Sequence, residues 1–264
     1  MSEDMINFNL YHAIPLNDLR TYFEQGGILS RAKLSDANPY FTRFFSDPKD
    51  LKLGCWNRAF GNFTDLGARF ANFESYCPNA FGAITLVLKP DVFESLGDVK
   101  ITKISVSQQN YDPKAHDIDI ENLKDCFSKK GERYFVKPNY QGLEFSSADE
   151  FIKLTNVAYI LVDPIEYKGQ CLIEKVRSLV DEFDLGCKVI PRALKNEEQK
   201  KKILASLVDW ADELGGTLLH KNQELASLVP ADLEAWFDAL PKPGRPILAS
   251  WLTYTYNGTL LHLA

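Results

Sequence analysis

Three polar clusters interrupt apolar runs at widely separated points of the chain. They are Tyr11-His12, then Ser30-Arg31 directly after Ile28-Leu29, and Asp149-Glu150 directly before Phe151-Ile152. Each falls where a strand or short helix should begin or end. The side-chain types can do chemistry together: a carboxylate stabilises positive charge that develops in a reaction, and a guanidinium suits phosphate recognition. Taken singly, each also has a plain structural reading, as a solvated glutamate at a strand start, a satisfied histidine, or an exposed arginine after a strand.

The elements that must position these residues follow from periodicity and punctuation. Residues 6–13 read as a short strand ending at Pro15. Residues 16–25 have helical spacing through Leu19, Tyr22 and Phe23, with Asn17 as the expected N-cap and Gly26-Gly27 as the stop. Residues 39–64 are aromatic and irregular, and predict a long ordered loop with short helical turns. Strands are expected at 83–88, 99–106, 133–136, 150–154 and 157–162, with an exposed helix over 118–130. Together these give an α+β body with non-sequential strand pairing.

After Pro164 the character changes. Helices are predicted over 171–183, 196–214 and 229–240, with a short strand at 188–191. Asn257-Gly258, between alternating segments, predicts a closing β-hairpin. The chain therefore divides into a body at 1–163 and a mostly helical extension at 164–264 packed on it.

The 264 residues suit one large domain or a domain with a substantial extension, and 45% hydrophobic with 25% charged residues is an ordinary globular composition. No apolar run approaches the roughly 18 residues of a membrane helix. The first residues are acidic and lack the apolar stretch of a secretory signal, so a cytoplasmic place is expected. The five cysteines form no CxxC pair and have no histidine at ligand spacing, so they read as reduced thiols and no metal site is expected. A net charge of −6 argues against a general duplex-wrapping protein, but leaves room for a local basic patch. No GxGxxG, phosphate-loop or GxSxG pattern occurs.

In order and separation the three clusters resemble the ADP-ribosyltransferase superfamily, most closely its DarT-like branch of nucleic-acid-modifying toxins. Leu10-Tyr11-His12 is similar to that branch's opening strand, which ends in a ribose-contacting histidine. Gly27-Ile28-Leu29-Ser30-Arg31 is similar to the segment after its first helix. Asp149-Glu150-Phe151-Ile152, leading through Asn156 into Val157-Ala158-Tyr159-Ile160, resembles the catalytic-glutamate strand and its successor. The resemblance covers about residues 8–163.

The resemblance implies a split β-sandwich with flanking helices and NAD as substrate. Cleaving nicotinamide from ribose builds an oxocarbenium-like cation, which a carboxylate stabilises more than it stabilises the neutral ground state. It assigns that task to Glu150, with Glu144 as the rival carboxylate nearby. His12, Ser30 and Arg31 would bind the ribose or phosphates of NAD. Arg58 and Arg69, which flank the segment 61–67, join Glu150 as catalytic candidates, and Phe73 or Tyr76 would stack on the nicotinamide ring.

Arginine-modifying members carry a second acidic residue two positions before the glutamate. Here that position is Ala148, so a nucleobase of RNA or single-stranded DNA becomes the expected acceptor. Asp149 is expected on the strand, facing away. A toxin or phage-defence role implies a neutralising antitoxin partner. The alternatives left open are an NAD glycohydrolase or phosphorylase, an RNA 2′-phosphotransferase relative, and a non-catalytic binding protein on the same fold. Lys200-Lys201-Lys202 reads as a solvated helix face.

Overall fold

A computed structural model describes residues 8–39, 41, 47–71, 83–106, 108, 110–131, 133–164, 166–167 and 170–193. The expected helices at 196–214 and 229–240, the terminal hairpin, Lys200-Lys201-Lys202, Phe73 and Tyr76 lie outside these residues.

The chain opens with β1 (Leu10–Ile14), α1 (Leu16–Gln25), β2 (Gly27–Leu29) and α2 (Arg31–Ala37). Then come α3 (Asp47–Lys52), β3 (Ala59–Asn62), α4 (Leu66–Ala71), β4 (Ile84–Leu88), β5 (Val99–Thr102), α5 (Pro113–His116) and β6 (Asp117–Ile118). A 3-10 segment, Ile120–Cys126, leads into β7 (Phe127–Lys130) and β8 (Arg133–Val136). The chain continues with β9 (Glu144–Ser147), β10 (Phe151–Lys153), β11 (Val157–Val162), β12 (Glu166–Tyr167), β13 (Gln170–Cys171), α6 (Leu172–Glu182) and β14 (Lys188–Pro191).

Eight strands make one mixed sheet in the order β14-β11-β4-β1-β3-β9-β5-β6, and β2 pairs with β10 in a separate two-stranded ribbon. This is a mixed α/β architecture built on a large sheet. The sheet does not stop at residue 163. After α6 the chain returns as β14, which pairs in parallel with β11, Ile160 opposite Val189. A parallel neighbour requires a crossover, and α6 supplies it.

One sheet face is apolar where it meets the helices, with His12 set among its side chains. Leu10 and Ile14 of β1, Leu86 and Leu88 of β4, and Ile160 and Val162 of β11 are all buried, against Leu19, Tyr22 and Phe23 of α1 and Val176 and Val180 of α6. Each such side chain contributes about 1.5–3 kcal/mol on burial. Farther along, Phe8, Phe63, Phe93, Phe127 and Phe145 form a ring cluster, with Phe93 and Phe145 edge-on at 4.9 Å.

The helix over Leu16–Gln25 forms as its spacing predicts, but Asn17 does not cap it. Pro15 holds the cap position without a side-chain bond. Gly26 ends the helix at φ 71° and turns the chain straight into β2, so Gly27 is a strand residue. Residues 39–64 are not one loop, because β3 runs through the middle of the sheet. Residues 118–130 are not an exposed helix but β6, a 3-10 segment and β7.

Candidate active site

His12 sits mid-strand on β1, opposite Leu86. In this apolar setting its ring must find its own partners, and it does. Nδ1 lies 2.8 Å from the Phe60 carbonyl, and Nε2 lies 3.3 Å from the Tyr22 hydroxyl. A carbonyl only accepts, so Nδ1 carries the proton and Nε2 accepts from Tyr22. Burial, with Arg31 nearby, lowers the His12 pKa to about 4, and the imidazole is neutral at ordinary pH. The same Tyr22 hydroxyl lies 3.5 Å from the Leu29 carbonyl at the end of β2.

The β2–β10 ribbon carries the site onward. Leu29 faces Phe151 in the register. One step past that pair, the Ser30 N–H donates to the Glu150 carbonyl at 2.6 Å. Ser30 is fully buried and N-caps α2, its hydroxyl accepting from the Lys33 N–H at 3.2 Å. The Ala32 N–H donates to the Trp56 carbonyl at 3.0 Å. These amides are therefore bonded to protein groups. Arg31 stacks over Phe41 at 4.8 Å and over Trp56 at 5.7 Å. Lys33 Nζ stands 3.5 Å from Glu150 Oε2 and over the Phe151 ring at 4.8 Å.

Glu150 is not an ordinary strand residue. Its φ is 55°, a left-handed conformation that costs a residue with a Cβ about 1–2 kcal/mol. The strand begins only at Phe151, and Glu150 occupies the kink before it, its side chain about 43% exposed. Strain of this kind persists where surrounding contacts enforce it, and it concentrates at functional sites. The enforcing contacts are visible. Asp149 is in the turn and not on the strand, its carboxylate accepting from the Gly97 N–H at 2.5 Å, and Ser147 Oγ donates to the Gly97 carbonyl at 2.9 Å.

The structure therefore joins His12, Ser30, Arg31 and Glu150 through one chain of contacts. Arg58 is engaged elsewhere. Its guanidinium donates to Ser146 Oγ at 2.9 Å and to Asp98 Oδ2 at 2.9 Å, and also to the carbonyls of both residues. So held, Arg58 fixes strand ends and does not offer its charge to a ligand. Arg69 lies in α4, its side chain outside the described residues. Sequence reasoning missed Tyr22, Lys33, Phe41 and Trp56. Only Tyr22 left a signal, because a tyrosine within a buried helical stripe needs a partner for its hydroxyl.

Glu144 is buried on β9, accepting from the Val106 N–H at 2.7 Å, with Ser105 and Thr102 also bonded to it. Burial raises its pKa to about 7. Between its ordinary value near 4.5 and about 7, the folded state therefore holds a proton that the unfolded state has lost, and stability falls as pH rises through that window. Glu144→Gln keeps an acceptor oxygen and removes this dependence. Urea midpoints should show the variant gaining on wild type, by on the order of 1–3 kcal/mol, between pH 5 and 8.

No protein-family model matches the chain, and no curated protein is found to be similar to it. Solved structures are. Thermus sp. 2.9 DarT in complex with NAD+ matches at 13% identity and a TM-score of 0.43, over 72% of this chain and 96% of that one. Thermosipho africanus DarTG in complex with ADP-ribose matches at 14% identity and 0.41, over 70% of this chain and 50% of that one. The Thermus DarT complex with ADP-ribosylated ssDNA matches at 11% and 0.39, over 73% and 95%. Among the described residues no group of His, Cys, Asp and Glu is arranged to hold a metal ion, and no helix is long and apolar enough to cross a membrane.

Proposed function

We propose that the chain is an NAD-consuming mono-ADP-ribosyltransferase on an ADP-ribosyltransferase-like split β-sandwich, modifying a nucleobase of RNA or single-stranded DNA. The observation that carries this is the meeting of distant segments: Tyr22 between His12 and Leu29, and Ser30 bonded to a strained Glu150.

NAD fits these groups as substrate. Arg31 and Lys33 supply the cations for a pyrophosphate. His12, neutral with its lone pair on Nε2, accepts from a ribose hydroxyl, while Tyr22 turns to its second acceptor at Leu29. Glu150 draws a ribose hydroxyl into a hydrogen bond that strengthens as the bond to nicotinamide breaks and the sugar becomes cationic. A base nitrogen then attacks the anomeric carbon, nicotinamide leaves with the bonding electrons, and the proton of the attacking nitrogen passes to water. Arg58 acts through the strand ends it ties together. Ala148, two positions before Glu150, supports a base over an arginine side chain as acceptor. Such chemistry suits a toxin or phage-defence enzyme restrained by an antitoxin.

The test is to incubate the chain with adenine-labelled NAD, alone and with single-stranded DNA or RNA. Label on the nucleic acid is expected. Label found only in free ADP-ribose, with either strand present, means a glycohydrolase instead, and no consumption of NAD means a binding protein.

A further inference from the structure

The β7–β8 ribbon reverses the character of the chain around it. Residues 124–137 hold five Lys or Arg (124, 129, 130, 133 and 137) against two acidic residues, within a protein of net charge −6. Lys129 pairs with Tyr134 and Lys130 with Arg133, and side chains alternate across the two faces. The inner face packs Phe127 into the aromatic cluster. The outer face presents Lys130, Arg133 and Phe135 to solvent, Phe135 at 48% exposure although it is a large apolar ring. Lys129 Nζ lies over the Tyr134 ring at 5.4 Å.

At the base of the ribbon is a groove of about 600 Å³. Its lining includes Tyr11, Tyr134 and Tyr159, Arg133 and Asp65, and Thr64, whose buried hydroxyl has no hydrogen-bond partner among the described residues. Tyr11 is the neighbour of His12 on β1, so the two side chains leave opposite faces of the sheet. The groove is therefore distinct from the site around Glu150. A second cavity before Cys126 has a mixed lining, with Asp117, Asp119, Glu121 and Asp125 against Lys100 and Lys103.

We infer that the β7–β8 ribbon and its groove dock single-stranded nucleic acid. Exposed cations track phosphates, and exposed aromatic rings take unstacked bases, which is the pairing such strands require. A duplex offers no free base faces to Phe135 or the tyrosines. The inference takes its kind of ligand from the proposed reaction, but docking is measured without NAD.

The probe is a fluorescein-labelled oligothymidine of about 16 nucleotides, with oligouridine and a duplex in parallel arms, titrated with the full chain and followed by anisotropy. Single strands should bind and the duplex bind less. Lys130→Glu/Arg133→Glu should flatten the dependence of log K on log salt by about 1.4, for two phosphates lost. Phe135→Ala should weaken binding about fivefold or more at every salt concentration. These residues are exposed, so melting temperatures and any NAD cleavage without nucleic acid should match wild type. Glu150→Gln should bind the strand normally, which separates docking from catalysis. Absent binding, equal binding of duplex, or variants that bind as wild type overturn the inference.

Discussion

Glu150→Gln should lose NAD cleavage by on the order of 100- to 1000-fold in kcat while leaving the KM for NAD within a few-fold, because the lost contact strengthens only as the sugar becomes cationic. Release of nicotinamide under saturating NAD measures it. A second variant separates catalysis from architecture. Glu150 is left-handed at φ 55°, and a glycine there sheds the clash between Cβ and backbone. Glu150→Gly should therefore be as inactive as Glu150→Gln, yet melt no lower than wild type and up to about 1 kcal/mol more stably. Retained turnover in either variant removes Glu150 from the reaction, and a large loss of stability in Glu150→Gly removes the strain at φ 55°.

Arg192→Met should cause the largest loss of stability, about 3–5 kcal/mol. Arg192 follows β14 and is only 4% exposed. Its Nε donates to Asp163 at 2.5 Å, its second nitrogen pairs with Asp65, and its third donates to Thr85 Oγ1 at 2.8 Å. Asp65 in turn caps α4 through the Ala68 N–H at 3.1 Å. The guanidinium fills the space a Cβ at Gly67 would need. Methionine keeps most of the volume but strands the buried Asp163 carboxylate and removes a cation from half-buried Asp65. Adding Asp163→Asn should restore part of the loss, since removing both ends of a buried pair costs less than removing one. Urea denaturation of the three proteins decides it, and an Arg192→Met variant within 1 kcal/mol of wild type would exclude this role.

Where the sequence foretold the fold, it did so through composition that matched the local environment. Val157–Val162, Arg133–Val136 and Lys188–Pro191 are strands with the expected bounds, and the helical stripe over Leu16–Gln25 is buried as its spacing requires. It failed where neighbours and not residues make the strand. Ala59–Asn62 contains glycine and asparagine, and Glu144–Ser147 contains a glutamate and two serines, so neither carries a β signature. Both lie inside the sheet, paired on two sides, and the ladder overrides propensity. The candidate site was legible as a set of side-chain types at His12, Ser30, Arg31 and Glu150. The left-handed turn at Glu150 and the capture of Arg58 by Asp98 and Ser146 were not, because both depend on contacts with residues 40 to 90 positions away.

The pairing of β14 with β11 has a consequence for anyone dividing this chain. The composition changes near Pro164, which invites a cut there, but such a fragment would leave Tyr159–Val162 without the backbone partners that β14 supplies, along a largely apolar border. An uncovered border of that kind recruits a second molecule as its missing neighbour. Shortened versions should therefore end after Arg192, or they will report clumping in place of enzymology.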